Sequence, residues 1–172
     1  MTTQRATVHA VLDSPAGPVT VVGAEGAITR VLLPGTRAPR PGERRDLGQR
    51  DDDALADALR QLDEYFAGER TQFDLALAPA GSAFQRLVWD GLRRIPFGET
   101  RSYGQLAAEI GLDPRTASRA VGAANGANPL AIVVPCHRVI GGDGSLVGFA
   151  AGVERKRWLL EHEARVAGTR LF

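Results

Sequence analysis

The chain has 172 residues, 44% of them hydrophobic and 24% charged, and this composition predicts a packed globular protein rather than a disordered one. No apolar stretch reaches the roughly 20 residues needed to span a bilayer, and the opening MTTQRATVHA lacks the apolar core of a signal peptide. A single cysteine excludes an internal disulfide and favours a reducing compartment, so we expect a cytoplasmic protein without membrane contact.

Charge is divided unevenly along the chain, although the net charge is only +1. Residues 1–80 carry 9 Arg against 12 Asp and Glu, a net of −3, whereas residues 81–172 carry 11 Arg and 1 Lys against 8 acidic residues, a net of +4. The C-terminal half therefore suits a phosphate backbone better than the N-terminal half does. The alternative is that the chain is simply rich in arginine, and that this charge distribution does not reflect binding to nucleic acid.

The first third of the chain predicts β-structure. Alternating β-branched and small residues, broken by SPAGP and GAEG, predict two hairpin-linked strands and a third strand around Ile28–Leu33. A surface loop over 34–46 should follow, then a helix over 51–69 that begins at three solvated aspartates. The segment 71–81 is expected to return as a strand and a linker. The apolar stripe of the helix is expected to contain Leu55, Leu59, Leu62 and Phe66.

From Ser82 onward the pattern is helical. A first helix, capped by Ser82, should present an apolar stripe, and two short helices should follow it. Ser102 and Gln105 form a capping box for one, and Asp113 caps the other, which ends at Gly126. This pair is a helix-turn-helix candidate, and a plain helical hairpin fits its spacing equally well. The stripe of the first helix contains Phe84, Leu87, Val88 and Leu92.

The second helix of that pair has an unusual outer face. Val121 lies on the side suited to packing, whereas Arg119 stands opposite it among Thr116, Gly122 and Ala123. Small residues allow a helix to lie close to a nucleic-acid backbone, but base-reading helices usually carry several polar side chains. The helix thus predicts nucleic-acid binding with little sequence preference, and an ordinary surface arginine is the alternative.

The single cysteine follows an apolar run, LAIVV, that predicts a buried strand ending at Pro135. Cys136 would then project from a strand end beside His137, whose imidazole can accept a thiol proton. Glu163 falls on the apolar face of the last helix and needs a buried partner. His137 as that partner gives a nucleophile, a base and an orienting group, while a nearby arginine is the alternative. The isolated histidines, His9 and His162, do not predict a metal site.

The segment PCHRVIGGDGSLVGF, preceded by RAVGAANGANPLAIVV and followed by a helix ending in LLEHE, resembles the O6-alkylguanine-DNA alkyltransferase family, the methylated-DNA–protein-cysteine methyltransferases. The resemblance covers the chain from about Phe84 to Glu163, and DSPAGPVTVVG is similar to the family's N-terminal domain more loosely. It implies an α/β N-terminal domain over residues 1–80, with a small antiparallel, ribonuclease-H-like sheet and a helix. A mainly α DNA-binding and alkyl-acceptor domain with a helix-turn-helix would occupy residues 81–172.

The resemblance implies direct-reversal repair, in which an alkyl group passes from O6 of guanine or O4 of thymine to Cys136. The reaction would be irreversible and occur once per molecule, without a metal or cofactor. His137 would take the thiol proton through a water and be oriented by Glu163. Asn128 would hold the turn before the active-site segment, and Tyr103 would bind the flipped base.

The implied partner is double-stranded DNA, bound through its minor groove with little sequence preference by a protein that is a monomer in solution. Cooperative binding along DNA is compatible with this. Arg119 would fill the space left by the extruded nucleotide. The other residues expected at the DNA are Ala117, Ser118, Ala120, Gly122 and Tyr103. We expect the N-terminal domain to be structural.

The implied substrate pocket has one departure that bears on adduct size. Val147 is larger than the residue that some relatives carry, so bulky adducts such as benzyl should be repaired poorly. Phe149 replaces a tyrosine found in many relatives, and the backbone N–H of Ala150 should face O6. The other two residues expected at the pocket wall are Pro135 and Val139.

Three other functions fit parts of the pattern. A non-catalytic binder of alkylated DNA would be expected to lack Cys136. A helix-turn-helix regulator would use Cys136 only as core, and the chain shows no obvious dimerisation segment. A cysteine hydrolase would use Cys136, His137 and Glu163, although its catalytic partners usually come from distant segments.

Overall fold

The structure, a computed structural model, describes residues 6–36, 46–146 and 148–169. Most of the predicted surface loop, and the pocket residue Val147, lie outside these residues. In the described part no helix is long and apolar enough to cross a membrane.

A four-stranded sheet forms the N-terminal part, as the alternation of β-branched residues predicts. Its order is β3-β2-β1-β4, and the three long strands run antiparallel. Glu25 and Gly26, both with positive φ, close the tight turn between β2 and β3. The two-residue β4 pairs parallel to β1, so the sheet is not wholly antiparallel. The strands are β1 (Val8–Leu12), β2 (Val19–Ala24), β3 (Ala27–Leu32) and β4 (Gln49–Arg50).

Helix α1, Ala56–Phe66, packs against this sheet but begins later than the sequence predicts. The three aspartates form a turn ahead of it, in which Asp51 Oδ1 accepts from the backbone N–H of Ala54 at 3.0 Å. Within the expected stripe, Leu59 and Phe66 are only partly buried. The buried face of α1 consists of Ala58, Gln61, Leu62 and Tyr65.

The prediction of a strand over 71–81 is wrong. Only an isolated bridge between Leu77 and Ile28 forms there. Gln61 explains the loss of regular pairing, because its side-chain amide occupies both backbone groups of Asp74. Gln61 Nε2 donates to Asp74 O at 2.9 Å, and Asp74 N–H donates to Gln61 Oε1 at 2.8 Å.

The C-terminal part is helical, and its capping signals are confirmed. Ser82 with Gln85, and Ser102 with Gln105, each form a capping box, and Asp113 caps the helix after the second box. The stripe of the first helix is partly wrong, because Leu87 is 40% exposed and Trp89 is buried instead. The helices are α2 (Ala83–Arg93), α3 (Tyr103–Glu109), α4 (Pro114–Gly126) and α5 (Val153–Ala167).

Helices α3 and α4 pack against each other and form the predicted helix-turn-helix. Gly111, with φ +85°, follows α3 and lets the chain reverse direction before α4 begins. Trp89 ties α2 to this pair, since its indole N–H donates to Ala124 O at 2.8 Å. Buried Leu106 and Val121 lie in the core that these helices share. The pair is therefore held as one unit whose other face is open to solvent.

The segment before the cysteine is not the strand that its composition predicts. Residues 131–133 form a turn, with Ile132 at φ +70°, and Leu130 makes only an isolated bridge to Val31. Asn128 accounts for the turn, because its Oδ1 accepts from Leu130 N–H at 2.9 Å and its Nδ2 donates to Val134 O at 2.8 Å. One side-chain amide thus takes backbone groups that a strand would use.

The cysteine itself opens a 3-10 turn, Cys136–Arg138. A short strand β6, Val139–Ile140, follows this turn and pairs parallel with β5, Arg101–Ser102. This pairing places the cysteine beside the start of α3, since β5 runs directly into that helix. The N-terminal sheet meets the same region, where Val31 N–H donates to Pro129 O at 2.8 Å.

Candidate active site

Cys136 is buried, with 7% of its surface exposed. Burial raises the pKa of its thiol, while the Asn128 amide and the positive charge of Lys156 act in the opposite direction. The resting side chain is therefore a thiol rather than a thiolate at neutral pH. Such a cysteine needs a base to become a nucleophile.

His137 is the neighbouring base and is wholly buried. Its Nε2 lies 2.6 Å from Glu163 Oε2. Burial lowers the pKa of the imidazole despite the neighbouring carboxylate, so the ring is neutral. A neutral ring that donates Nε2–H to Glu163 leaves Nδ1 as its proton acceptor. Within the described residues this Nδ1 has no hydrogen-bond partner.

Glu163 is held by more groups than the sequence indicates. Besides His137 it accepts from Arg138 Nε at 2.7 Å and Nη2 at 3.1 Å, and from the Tyr65 hydroxyl at 2.6 Å. The backbone N–H of Gly98 adds a longer bond of 3.3 Å. Although burial opposes ionisation, His137 and Arg138 hold the pKa of this carboxyl far below its usual range. Glu163 thus contacts both the histidine and an arginine, the two partners that the sequence leaves open.

Sequence reasoning missed three buried residues around this site. Arg138 belongs to the PCHR segment itself and also donates to Ile95 O at 2.6 Å. Lys156 is the only lysine in the chain; burial lowers its pKa to about 8, and it donates to Val139 O. Tyr65 carries no local signal, because it stands 98 positions before Glu163 on α1.

Tyr103 stands at the first position of α3, half-buried beside the cysteine segment. A Cβ atom added to Gly148 would lie 3.2 Å from the Tyr103 hydroxyl, and one added to Gly122 would lie 3.6 Å from its ring. Burial raises the pKa of the phenol, and the negative form of Cys136 adds to that. Tyr103 therefore lies between α4 and the 148–151 loop, near Cys136. Its phenol is protonated at neutral pH.

A cavity of about 30 Å³ lies against Cys136. Asn125 and Asn128 line one side of it, and Phe149 and Ala150 line the other. Its size suits one small group, such as a methyl group or a water.

Two residues expected at the pocket wall are placed elsewhere. Pro135 and Val139 are buried and do not line this cavity. Pro135 faces a separate cleft of about 380 Å³ that includes Phe97.

The outer face of α4 carries the residues that the sequence assigns to nucleic acid. Arg119 and Ala120 are exposed, and Ala117, Ser118 and Gly122 are partly buried. The Ser118 hydroxyl donates to Pro114 O within the helix. Arg119 is thus a long cation standing among side chains of very small volume.

No group of three or more His, Cys, Asp or Glu that could hold a metal ion occurs within residues 6–36, 46–146 and 148–169. His162 instead places Nε2 at 2.8 Å from Tyr65 O and stacks on Trp158.

Comparison with known families matches nearly the whole chain. Residues 83–165 match the DNA-binding domain of 6-O-methylguanine DNA methyltransferases, and residues 7–79 match the ribonuclease-like domain of the same family.

Two relatives named methylated-DNA–protein-cysteine methyltransferase are similar over most of both chains. The protein of Methanosarcina acetivorans is 46% identical over 155 residues, covering 90% of this chain and 97% of its own. That of Mycobacterium tuberculosis is 49% identical over 153 residues, covering 88% and 89%. A crystal structure of the M. tuberculosis OGT in complex with DNA superimposes with a TM-score of 0.84, at 46% identity, over 92% of this chain and 94% of that one.

Proposed function

The chain belongs to the 6-O-methylguanine DNA methyltransferase family, and from this membership and the site geometry we infer that it repairs alkylated DNA by taking the alkyl group onto Cys136. The observation that carries the inference is the placement of the chain's only cysteine, which is buried next to the neutral imidazole of His137 and its Glu163 partner and opens onto a small cavity. The substrates are O6-alkylguanine and O4-alkylthymine in double-stranded DNA.

The transfer is a direct displacement at carbon. The thiolate of Cys136 forms a bond to the alkyl carbon, the bond from that carbon to O6 breaks, and its electron pair leaves with the base. The base then takes a proton, and the protein keeps a thioether. Because a thioether is a very poor leaving group, each molecule reacts once.

His137 supplies the base that this displacement needs. Its Nδ1 is the free acceptor of a neutral ring, and Glu163 fixes the tautomer from the other side. A water between the thiol and Nδ1 carries the proton. Asn128 supports the site by holding the turn that precedes Cys136.

Tyr103 binds the extruded base and stabilises the departing guanine by donating a hydrogen bond. Its place between α4 and the 148–151 loop supports this role, as does a raised phenol pKa that keeps the proton on the ring oxygen. Phe149 forms an aromatic wall of the pocket, and the backbone N–H of Ala150 faces O6.

The helix-turn-helix binds DNA through the minor groove. The alkyl carbon is difficult to attack in line inside a stacked duplex, so the nucleotide is flipped out, and Arg119 fills the space that it leaves. Small residues on α4 allow the close approach, and the shortage of polar groups leaves little sequence preference. The protein acts as a monomer in solution; cooperative binding along DNA is compatible with this.

We place the boundary between the two domains at residues 80 and 81. We also propose that the protein is located in the cytoplasm of a prokaryotic cell and acts at the nucleoid. The family matches end at residue 79 and begin again at residue 83, which supports that boundary. Relatives from archaea and bacteria support the prokaryotic assignment.

Incubation with duplex DNA that carries radiolabelled O6-methylguanine tests this function. The labelled methyl group should move to the protein, and intact mass should show one methyl group per molecule. Transfer should stop once the thiol of every molecule has reacted. Protein whose thiol has first been blocked with iodoacetamide is the control. DNA binding without transfer would indicate a binder or regulator instead, and release of product with the thiol unchanged would indicate a hydrolase.

The small cavity predicts a preference for small adducts. Transfer of benzyl from O6-benzylguanine in the same duplex should be at least tenfold slower than transfer of methyl, because the cavity of about 30 Å³ beside the thiol must enlarge further for an aromatic ring than for a methyl group on the same base. Single-turnover rates at saturating protein measure the difference. Equal rates for the two adducts would contradict it.

A further inference from the structure

Two buried side chains next to Cys136 have an unpaired hydrogen-bond acceptor. One acceptor is His137 Nδ1, and the other is the side-chain oxygen of Asn125, in the last turn of α4. Among the residues that the structure describes, neither atom has a hydrogen-bond donor. Buried polar groups are normally satisfied, and Asn125 is only 2% exposed, so an unpaired amide oxygen here needs an explanation.

The amide of Asn125 is oriented by the cysteine itself. Its Nδ2 donates to the backbone carbonyl of Cys136 at 3.4 Å. This contact makes Oδ1 the free end of the amide. Asn125 also lines the cavity of about 30 Å³ that opens onto Cys136.

The hydrogen-bonding capacities around the thiol are complementary to one water molecule. Such a cavity exceeds the roughly 10–15 Å³ that a water requires. A water has two O–H donors, which match the two unpaired acceptors, and an oxygen lone pair, which accepts the S–H proton.

We propose that Asn125 is a positioning residue whose amide oxygen holds the water that carries the proton from Cys136 to His137. The inference rests on the function proposed above and assigns Asn125 a part in it. The S–H proton passes to the water as one water proton passes to Nδ1, which leaves a thiolate, an imidazolium and the water.

The titratable and charged groups around Cys136 stand on other elements than Asn125. Tyr103 faces the cysteine from α3, Lys156 and Glu163 lie on α5, and Arg138 follows in the same turn as the cysteine. The N-terminal part contributes Leu33 and Thr36 to the cavity wall, neither of which carries charge. A shift in the ionisation of Cys136 after substitution of Asn125 would therefore report the loss of the amide.

Asn125→Leu, which removes the amide and keeps the branching of the side chain, tests the proposal. Methylation of Cys136 by iodomethane, followed by peptide mass at several pH values, reads thiol ionisation without DNA. We expect a rate about tenfold lower near pH 7, with wild type and variant converging above the thiol pKa, because the relay is dispensable once the thiol ionises directly. Methyl transfer from O6-methylguanine DNA should lose rate in the same pH-dependent way.

Two results would overturn the role of Asn125: an unchanged pH profile, or a loss of rate of equal size at every pH. If Asn125→Leu fails to fold, the nearly isosteric pair Asn125→Thr and Asn125→Val replaces it; Thr should react faster than Val near pH 7, and equal rates count against the proposal. Failure of the wild-type protein to accept methyl from DNA would refute the proposed repair function, whereas the iodomethane profile tests Asn125 separately.

Discussion

Glu163→Gln is expected to reduce both stability and methyl transfer more than any other single change outside the cysteine. The carboxylate is 1% exposed and accepts from His137, Arg138 and Tyr65, so its replacement leaves the buried Arg138 guanidinium without its counter-charge. Removing one partner of a buried ion pair costs about 3–5 kcal/mol of unfolding free energy. The thermal midpoint should fall by roughly 10 °C.

The same substitution should slow transfer at least 100-fold, since an amide can turn its N–H toward His137 and favour the wrong tautomer. Chemical unfolding curves and single-turnover transfer rates measure the two effects. The stabilisation has a defined pH range. Because the pKa of Glu163 is depressed, its contribution is complete above the unfolded carboxyl pKa of about 4.3 and is lost only as pH falls toward the folded value.

Glu161→Gln is the matched control for that experiment. It makes the same chemical change two residues earlier in α5, on the exposed side, and should shift stability by less than about 0.5 kcal/mol. A Glu163→Gln protein as stable and as active as this control would show that the buried carboxylate orients nothing.

Arg119→Ala is expected to slow repair of duplex DNA about 100-fold while leaving the thiol chemistry intact. Arg119 is exposed on α4, so its loss should not change the fold. Extruding a base costs a few kcal/mol of unstacking, and the arginine that fills the gap offsets part of that cost. In single-stranded DNA, where the base is already free, the defect should nearly vanish. The ratio of duplex to single-strand transfer rates is the measurement.

Arg115→Ala separates this effect from loss of charge. Arg115 is also exposed on α4, and either substitution removes one positive charge. If the side chain reaches a phosphate, each substitution should weaken DNA binding and lower the slope of log binding constant against log salt concentration by about one. Only Arg119→Ala should change the duplex-to-single-strand ratio. Equal ratios in the two variants would exclude the filling role of Arg119.

The sequence alone was sufficient for the features that depend on local chemistry. Capping residues at Ser82, Ser102 and Asp113 defined the starts of three helices, because a cap acts within one turn of its own position. The buried face of α5 that carries Glu163 followed from spacing in the same way, whereas the spacing of α3 and α4 fitted a helix-turn-helix and a plain helical hairpin equally well. Membership of the alkyltransferase family, first indicated by PCHRV, is established by the family matches.

The failures occur where a side chain takes over backbone hydrogen bonds. LAIVV has the composition of a strand, yet the Asn128 amide turns the chain after Leu130, and Gln61 similarly occupies Asp74 in the predicted strand over 71–81. Such competition depends on which residues meet in three dimensions, and hydrophobic periodicity does not contain that information. Tyr65 was missed for the same reason.

The hydrogen bond from Tyr65 to Glu163 connects the N-terminal domain directly to the carboxylate that we propose orients His137, although the sequence suggested a structural domain only. We therefore expect repair to depend on a buried residue of α1 that stands outside the PCHRV segment. A mutational screen scored for survival under alkylating agents would group Tyr65 with the catalytic segment. In a chimaera of the C-terminal half with a different N-terminal domain, that domain would have to place a hydroxyl where the Tyr65 hydroxyl contacts Glu163.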